Sequence, residues 1–417
     1  MFIIQGKQKL QGEVTVSGSK NAVLPILCAA LLSKETVTLH NVPRISDVNA
    51  LLQVFESMGV KTSFVEHTVT INAAELRNDQ INESLINKMR ASILLFGPVL
   101  ARLGELNISF PGGCVLGKRS AHAHTYALEK MGAEIIESQQ RLHLKVKKLQ
   151  ATDLIMPEMS VTATENAIML AAIAPGHSSL KLVAAEPHVQ DLCHFLNKLG
   201  AKIKGIGTHY LEIEGVKELN GGEYTVTGDY LEAGTFAIAG LITGGEIKIN
   251  GIPTGQLDSF WQKLDEMGAN YQLEKNSILI KPTTKLLAPT PLRTAVYPSF
   301  ATDLQAPFSV LLTQAEGETQ VFETLFEGRL NYLFELEKMG AKIEILNPHQ
   351  AKIIGKARLK GVPIASIDIR AGAAMVLAGL IAEGTTEISN INYIDRGYEN
   401  IDKKLTALGA KITRVDL

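Results

Sequence analysis

Cysteine is scarce in this chain: only Cys28, Cys114 and Cys193 occur in 417 residues. An odd number with no Cys-x-x-Cys spacing gives neither a disulfide framework nor a zinc cage, and such thiols fit a reducing cytoplasm. No run of about eighteen apolar residues is present, which excludes a helical membrane span. The opening Met-Phe-Ile-Ile-Gln-Gly-Lys has no basic segment ahead of a long apolar core, so no secretory leader is expected. Charge of one sign is lacking too. Lys and Arg number 41 against 43 Asp and Glu, with an isoelectric point near 6.6, which argues against nucleic-acid binding through one broad basic face. A chain of this length buries a large core and divides into two domains or more.

What is present is a repeat. A helix end, then Met or Leu followed by Gly, then a strand recurs six times, at Met58-Gly59, Met131-Gly132, Leu199-Gly200, Met267-Gly268, Met339-Gly340 and Leu408-Gly409. The spacing is roughly 70 residues, the mark of a tandem architecture. Each glycine stands where a left-handed residue would end a helix. A second recurring piece is an apolar, alanine-rich helix ending at glycine, as in Met375 to Gly384 and Ala237 to Gly245. Helices apolar nearly all round belong inside a domain. The unit is two helices and several strands, and six units divide naturally into three per domain.

The repeat also indicates where chemistry lies. Polar residues gather at the N-terminal ends of the buried helices: Lys20 and Asn21, Arg90, Ser160 to Thr164, Asp229 and Glu232, Asp303, and Asp368 with Arg370. Helix N-termini attract anions through free N–H groups and the dipole. Loops after the short strands carry Cys114 and Arg119, Glu327 and Arg329, and Asp395 and Arg396. Pseudo-symmetry would bring such ends together, and Lys20, Arg119, Arg329, Arg370 and Arg396 would then hold a phosphorylated, multiply charged ligand. The loop Pro111-Gly-Gly-Cys114-Val-Leu-Gly-Lys-Arg119 displays a thiol beside two cations, a setting that favours thiolate. An incidental cysteine in a tight turn would give the same residues.

Gly18-Ser19-Lys20-Asn21-Ala22, Lys88-Met89-Arg90-Ala91-Ser92, the Pro111-Gly-Gly-Cys114 loop, Ala301-Thr302-Asp303-Leu304-Gln305 and Ile394-Asp395-Arg396-Gly397-Tyr398-Glu399 resemble the UDP-N-acetylglucosamine enolpyruvyl transferase (1-carboxyvinyltransferase) family. The similarity runs over the whole chain, and the cysteine loop is its most specific element. The resemblance implies an α/β (α+β) fold, an inside-out α/β barrel of two domains with six βαβαββ repeats, three in each. It implies domains of 20–227 and of 1–19 with 228–417, and an active site in the cleft between them. It implies transfer of the enolpyruvyl group of phosphoenolpyruvate to a sugar 3-hydroxyl by addition and elimination, with no metal and no organic cofactor. Cys114, Asp303, Lys20 and Arg396 would be catalytic. Lys20, Arg119, Arg329, Arg370 and Arg396 would hold phosphoenolpyruvate. Asn21, Arg90, Arg119, Ser160, Val161, Thr162, Asp303 and Leu325 would bind the acceptor, while Asp368 and Lys403 match without a defined role. Cys114 would serve as the acid and Asp303 as the base that activates a poor nucleophile, although Asp303 could also cap the helix after Thr302. The partners expected are small-molecule substrates, with no nucleic acid and no membrane; oligomeric state is open.

Departures from the family pattern cluster at the nucleotide side. Ser120 stands for a proline, His122 for an aspartate and Ala123 for a leucine. Glu158 stands where some members have lysine, and Thr162 where glycine is usual and lets backbone approach the ligand. Tyr230 and His188 replace residues that are often charged. Two explanations compete: tolerated drift with the usual acceptor, or a changed nucleotide acceptor. A non-catalytic nucleotide-binding paralogue is a third reading, which the acid, the base and all five cations argue against. His122 and His124 lack a third ligand for a metal; His124 falls on one helical face with Ala127, Leu128 and Met131 and reads as partly buried and hydrogen-bonded. Cys28 and Cys193 read as packing residues, and Trp261 as core. If Cys114 is the reactive thiol, the family's epoxide inhibitor fosfomycin alkylates it in the presence of UDP-N-acetylglucosamine. Mass spectrometry of the treated chain checks this, and an unlabelled Cys114 counts against the assignment.

Overall fold

Each Met/Leu-Gly signal ends a helix in the same way. In all six copies the glycine has positive φ, from 72° at Gly268 to 105° at Gly200, and the preceding Met or Leu is buried. The chain turns there and starts a strand, so one local device is used six times. A computed structural model describes residues 1–87, 89–109, 121–138 and 141–415.

Six small sheets carry the strands among these residues. Five share one order: an outer strand parallel to its neighbour, followed by two antiparallel strands. Asp153–Ile155, His177–Lys181, Tyr210–Glu214 and Lys202–Lys204 form one example. The sheet of Glu105–Ser109, Arg141–Val146 and Ala133–Ser138 has three strands among the described residues.

Two compact units result. One is Met1–Ser17 with Gly228–Leu417, and the other lies within 18–227. The N-terminal strands explain the split. Phe2–Gln5 fills the slot between Thr385–Ser389 and Lys411–Arg414, and Gln11–Thr15 lies parallel to Glu246–Asn250. Gly222–Thr225 in turn completes the first sheet of the other unit, parallel to Thr36–His40. The first passage falls at Ser17/Gly18, just ahead of the helix Lys20–Ala30, which Ser19 caps by accepting from Ala22 N–H.

Each unit has its own apolar core. Its central helices are largely buried, and most are apolar nearly all round: Lys20–Ala30, Phe96–Leu103 and Val161–Ala171 in one unit, and Tyr230–Thr243, Thr302–Leu312 and Ile369–Ile381 in the other. The last three pack on one another. Cys28, Cys193 and Trp261 are buried in these cores, and the Trp261 indole N–H donates to Thr254 C=O at 3.0 Å. Burial raises both thiols, Cys193 to about 12, which removes thiolate chemistry. No helix among the described residues is long and apolar enough to cross a membrane.

The close packing leaves a measurable constraint. A Cβ on Gly215 would lie 1.7 Å from the Ala174 carbonyl oxygen, just past the Val161 helix. Gly244 ends the Tyr230 helix at φ 62° with open space around it. Gly215→Ala should therefore cost about 3 kcal/mol through overpacking, and Gly244→Ala only about 1 kcal/mol through left-handed backbone strain. Urea denaturation of the two variants checks the order.

Candidate functional site

The unit containing Gly228–Leu417 builds its site on the first turns of its buried helices. Ala301, not Asp303, is the N-cap of Thr302–Leu312, so the capping alternative for Asp303 gives way to another use. Its carboxylate joins two arginines: Oδ1 lies 2.7 Å from Arg329 Nη2 and Oδ2 lies 3.1 Å from Arg370 Nε. Arg329 begins a 3-10 turn after Gly328, and Arg370 is the second residue of Ile369–Ile381. Asp368 caps that helix by accepting from Arg370 and Ala371 N–H. Both guanidinium groups are buried, at 4% and 3% exposure. Burial lowers the Arg329 pKa, but Asp303, Asp368 and Glu323 more than offset it. For Arg370, burial is likewise outweighed by Tyr398, Asp303 and Asp229.

Two cations here share one carboxylate. Arg329 Nε and Arg370 Nη1 are buried without a hydrogen-bond partner among the described residues. Leaving a charged donor unmet in a protein interior is costly, and an anionic oxygen would meet it. Tyr398, within the Ile394–Glu399 motif, lies under the Arg370 guanidinium at 5.1 Å and shares a hydrogen bond with the Thr235 hydroxyl at 2.9 Å.

Glu323 is the residue that sequence reasoning missed. It is buried and accepts from the hydroxyls of Thr294 and Thr302 and the Gln305 amide on one oxygen. The other oxygen accepts from Leu325 and Phe326 N–H. It thereby fixes both the loop that presents Leu325, which is 38% exposed, and the turn that carries Asp303. A lone Glu at a strand end gives no sequence signal for this.

Arg396 closes the 3-10 turn Ile391–Arg396 and is half-buried. Its neighbour Asp395 belongs elsewhere: it forms a two-pronged ion pair with Arg414 at 2.8 and 2.9 Å. Lys403 is exposed.

In the other unit, Lys20 and Asn21 occupy the first turn of Lys20–Ala30, both half-buried, with Lys20 Nζ 3.8 Å from Asp47. Ser160 is the N-cap of Val161–Ala171 and makes no side-chain capping bond; Val161 and Thr162 follow, half-buried. Thr162 is joined to His124, whose Nε2 lies 3.1 Å from its hydroxyl. His124 is fully buried, at 2% exposure, rather than partly so. Burial first, and the Arg90 charge second, lower its pKa to about 3. Arg90, His124 and Thr162 thus form one neighbourhood. His122 is exposed, Ala123 buried and Glu158 exposed; Tyr230 and His188 are buried. Cys114, Arg119 and Ser120, with Lys88, lie outside the described residues.

A family model described as EPSP synthase (3-phosphoshikimate 1-carboxyvinyltransferase) matches residues 4–405. The chain is 43% identical to a UDP-N-acetylglucosamine 1-carboxyvinyltransferase of Methylacidiphilum infernorum, over 99% of this chain and 98% of that one. It is 42% identical to the enzyme of the same name from Chlorobium limicola, with the same coverage. Among solved structures, the enolpyruvyl transferase NikO from Streptomyces tendae superposes with a TM-score of 0.90 at 23% identity, covering 99% of this chain and 98% of the other. EPSP synthase from Acinetobacter baumannii gives 0.77 at 20% identity, covering 99% of both. These two similarities concern the fold, a mixed α/β architecture.

The buried imidazole has a measurable consequence. Its folded pKa, about 3, lies below the ordinary 6.5, so the unfolded chain takes up the proton first. The stability it contributes is complete above pH 6.5 and falls toward pH 3, by about 1.4 kcal/mol per pH unit. Between pH 7 and pH 5 the protein should lose roughly 2 kcal/mol that a His124→Gln variant does not lose, measured by urea denaturation at the two pH values.

Proposed function

The chain belongs to the UDP-N-acetylglucosamine 1-carboxyvinyltransferases within the EPSP synthase family, and from that premise we propose that it transfers the enolpyruvyl group of phosphoenolpyruvate to the 3-hydroxyl of UDP-N-acetylglucosamine, releasing phosphate. This is the committing step of peptidoglycan synthesis, carried out on small molecules, and we assign it to the cytoplasm. The observation that carries the reading is the pair of buried arginines sharing Asp303, with Arg329 Nε and Arg370 Nη1 unmet among the described residues. Such a pair suits a ligand with both a phosphate and a carboxylate.

Asp303 takes the proton of the acceptor hydroxyl, whose oxygen bonds to C2 of phosphoenolpyruvate while the thiol of Cys114 protonates C3. The tetrahedral ketal then loses a C3 proton and expels phosphate, which restores the double bond. Lys20, Arg119, Arg329, Arg370 and Arg396 balance the charge that moves between carboxylate and phosphate. Asn21, Arg90, Ser160, Val161, Thr162 and Leu325 hold the sugar nucleotide.

Phosphate release from phosphoenolpyruvate, assayed with UDP-N-acetylglucosamine beside UMP, UDP and UDP-glucose, tests this reading. Turnover with the acetylated sugar nucleotide alone is expected, and Asp303→Ala should lower it by about 10² to 10⁴-fold. Release only with another nucleotide would overturn the acceptor and make Ser120, His122 and Glu158 its determinants. Undiminished release by Asp303→Ala would overturn the assigned base.

A further inference from the structure

The Asn166, His124 and Thr162 side chains form a chain of hydrogen bonds whose polarity is fixed from its inner end. Asn166 Oδ1 accepts the Gly97 N–H at 2.7 Å, which sets the orientation of its amide. The two hydrogens on Nδ2 then go to Ile93 C=O at 2.9 Å and to His124 Nδ1 at 2.9 Å. His124 Nδ1 therefore accepts. A neutral imidazole that accepts at Nδ1 carries its proton at Nε2, so Nε2–H donates to the Thr162 hydroxyl at 3.1 Å. The ring is packed edge-on against Phe96, with centroids 6.2 Å apart, and cannot turn over without breaking both bonds. The Thr162 oxygen thus has an acceptor site occupied by His124. Its own hydrogen finds no acceptor among the described residues.

We propose that His124 is a positioning residue that makes the Thr162 hydroxyl a hydrogen-bond donor to a diphosphate oxygen of the acceptor nucleotide, so that Thr162 is a specificity determinant of this chain. The proposal rests on the reading of Ser160 to Thr162 as acceptor-binding. The opposite tautomer would give the opposite result: Thr162 would donate inward to Nε2 and turn only lone pairs toward an anion. The half-buried position in the first turn of Val161–Ala171 puts that donor beside backbone N–H groups that suit the same charge. A hydroxyl at a position where the family favours glycine then contributes to binding instead of obstructing it. His124 touches no ligand in this arrangement. It acts through Thr162.

Steady-state kinetics of Thr162→Val, Thr162→Ser and His124→Phe, with 15N-histidine NMR of the full chain, test the proposal. Thr162→Val keeps the shape and removes the donor, so KM for UDP-N-acetylglucosamine should rise about tenfold. The turnover number and the KM for phosphoenolpyruvate should stay within about twofold. Thr162→Ser should restore the lost affinity, and NMR should show His124 as the neutral Nε2–H tautomer. His124→Phe, if folded, should give the same KM shift, without addition in the double variant. A Thr162→Val enzyme with unchanged KM overturns the proposal, and so does a loss in turnover that Ser does not rescue, or an Nδ1–H or protonated His124. A parent enzyme that neither binds nor turns over UDP-N-acetylglucosamine overturns the functional reading as well, which separates the two failures.

Discussion

Two guanidinium groups stripped of water need more negative charge than one carboxylate supplies, and several neighbours in the Gly228–Leu417 unit answer part of that need. Asp303 bridges Arg329 and Arg370, Asp368 adds charge from its capping position, and Tyr398 offers a ring face to Arg370. None of these meets Arg329 Nε or Arg370 Nη1. A buried ion pair with spare donors is poor as a device for stability and well suited to holding an anion, because the desolvation cost has been met in folding. The cluster therefore presents fixed positive charge that needs no rearrangement to meet an anion.

The repeat gives several such groups a common address. Every copy ends an outer helix at a left-handed glycine, and five of the six buried helices carry a polar side chain in the first turn, Phe96–Leu103 being the exception. The backbone demand is constant while the residues at that address differ: Lys20 in one copy, Ser160 to Thr162 in another, Asp303 and then Asp368 with Arg370 in others. Packing sets the address, and chemistry varies at it. This separation lets a symmetrical fold carry an asymmetrical reaction.

The repeats and buried helices were legible because they are local: a glycine forced to positive φ and an all-round apolar helix leave marks in consecutive residues. Lys20, Asp303, Arg329 and Arg370 were singled out through motif and shared address, and the structure brings the last three together. Partnerships were not. Nothing in the sequence separates Asp395, bound to Arg414, from Arg396 beside it. Glu323 organises five donors that lie between Thr294 and Phe326, a pattern set by folding and not by spacing. Asp303 resembled a helix cap because caps and first-turn carboxylates occupy adjacent positions; only the arginines opposite it decide between the two.

Thr162 shows the same limit in sharper form. Read alone, a threonine in place of glycine is an obstruction beside a ligand. Read with His124 and Asn166, its oxygen is already engaged by a neutral imidazole, and what faces outward is decided by an amide four residues further along the same helix. The substitution is then not one change but one end of a polar chain that starts at the Gly97 and Ile93 backbone. A buried network tolerates no half-measures, since each unmet group carries its full desolvation cost. A hydroxyl held by this network is a donor of defined direction, which a hydroxyl at an exposed contact without such partners is not.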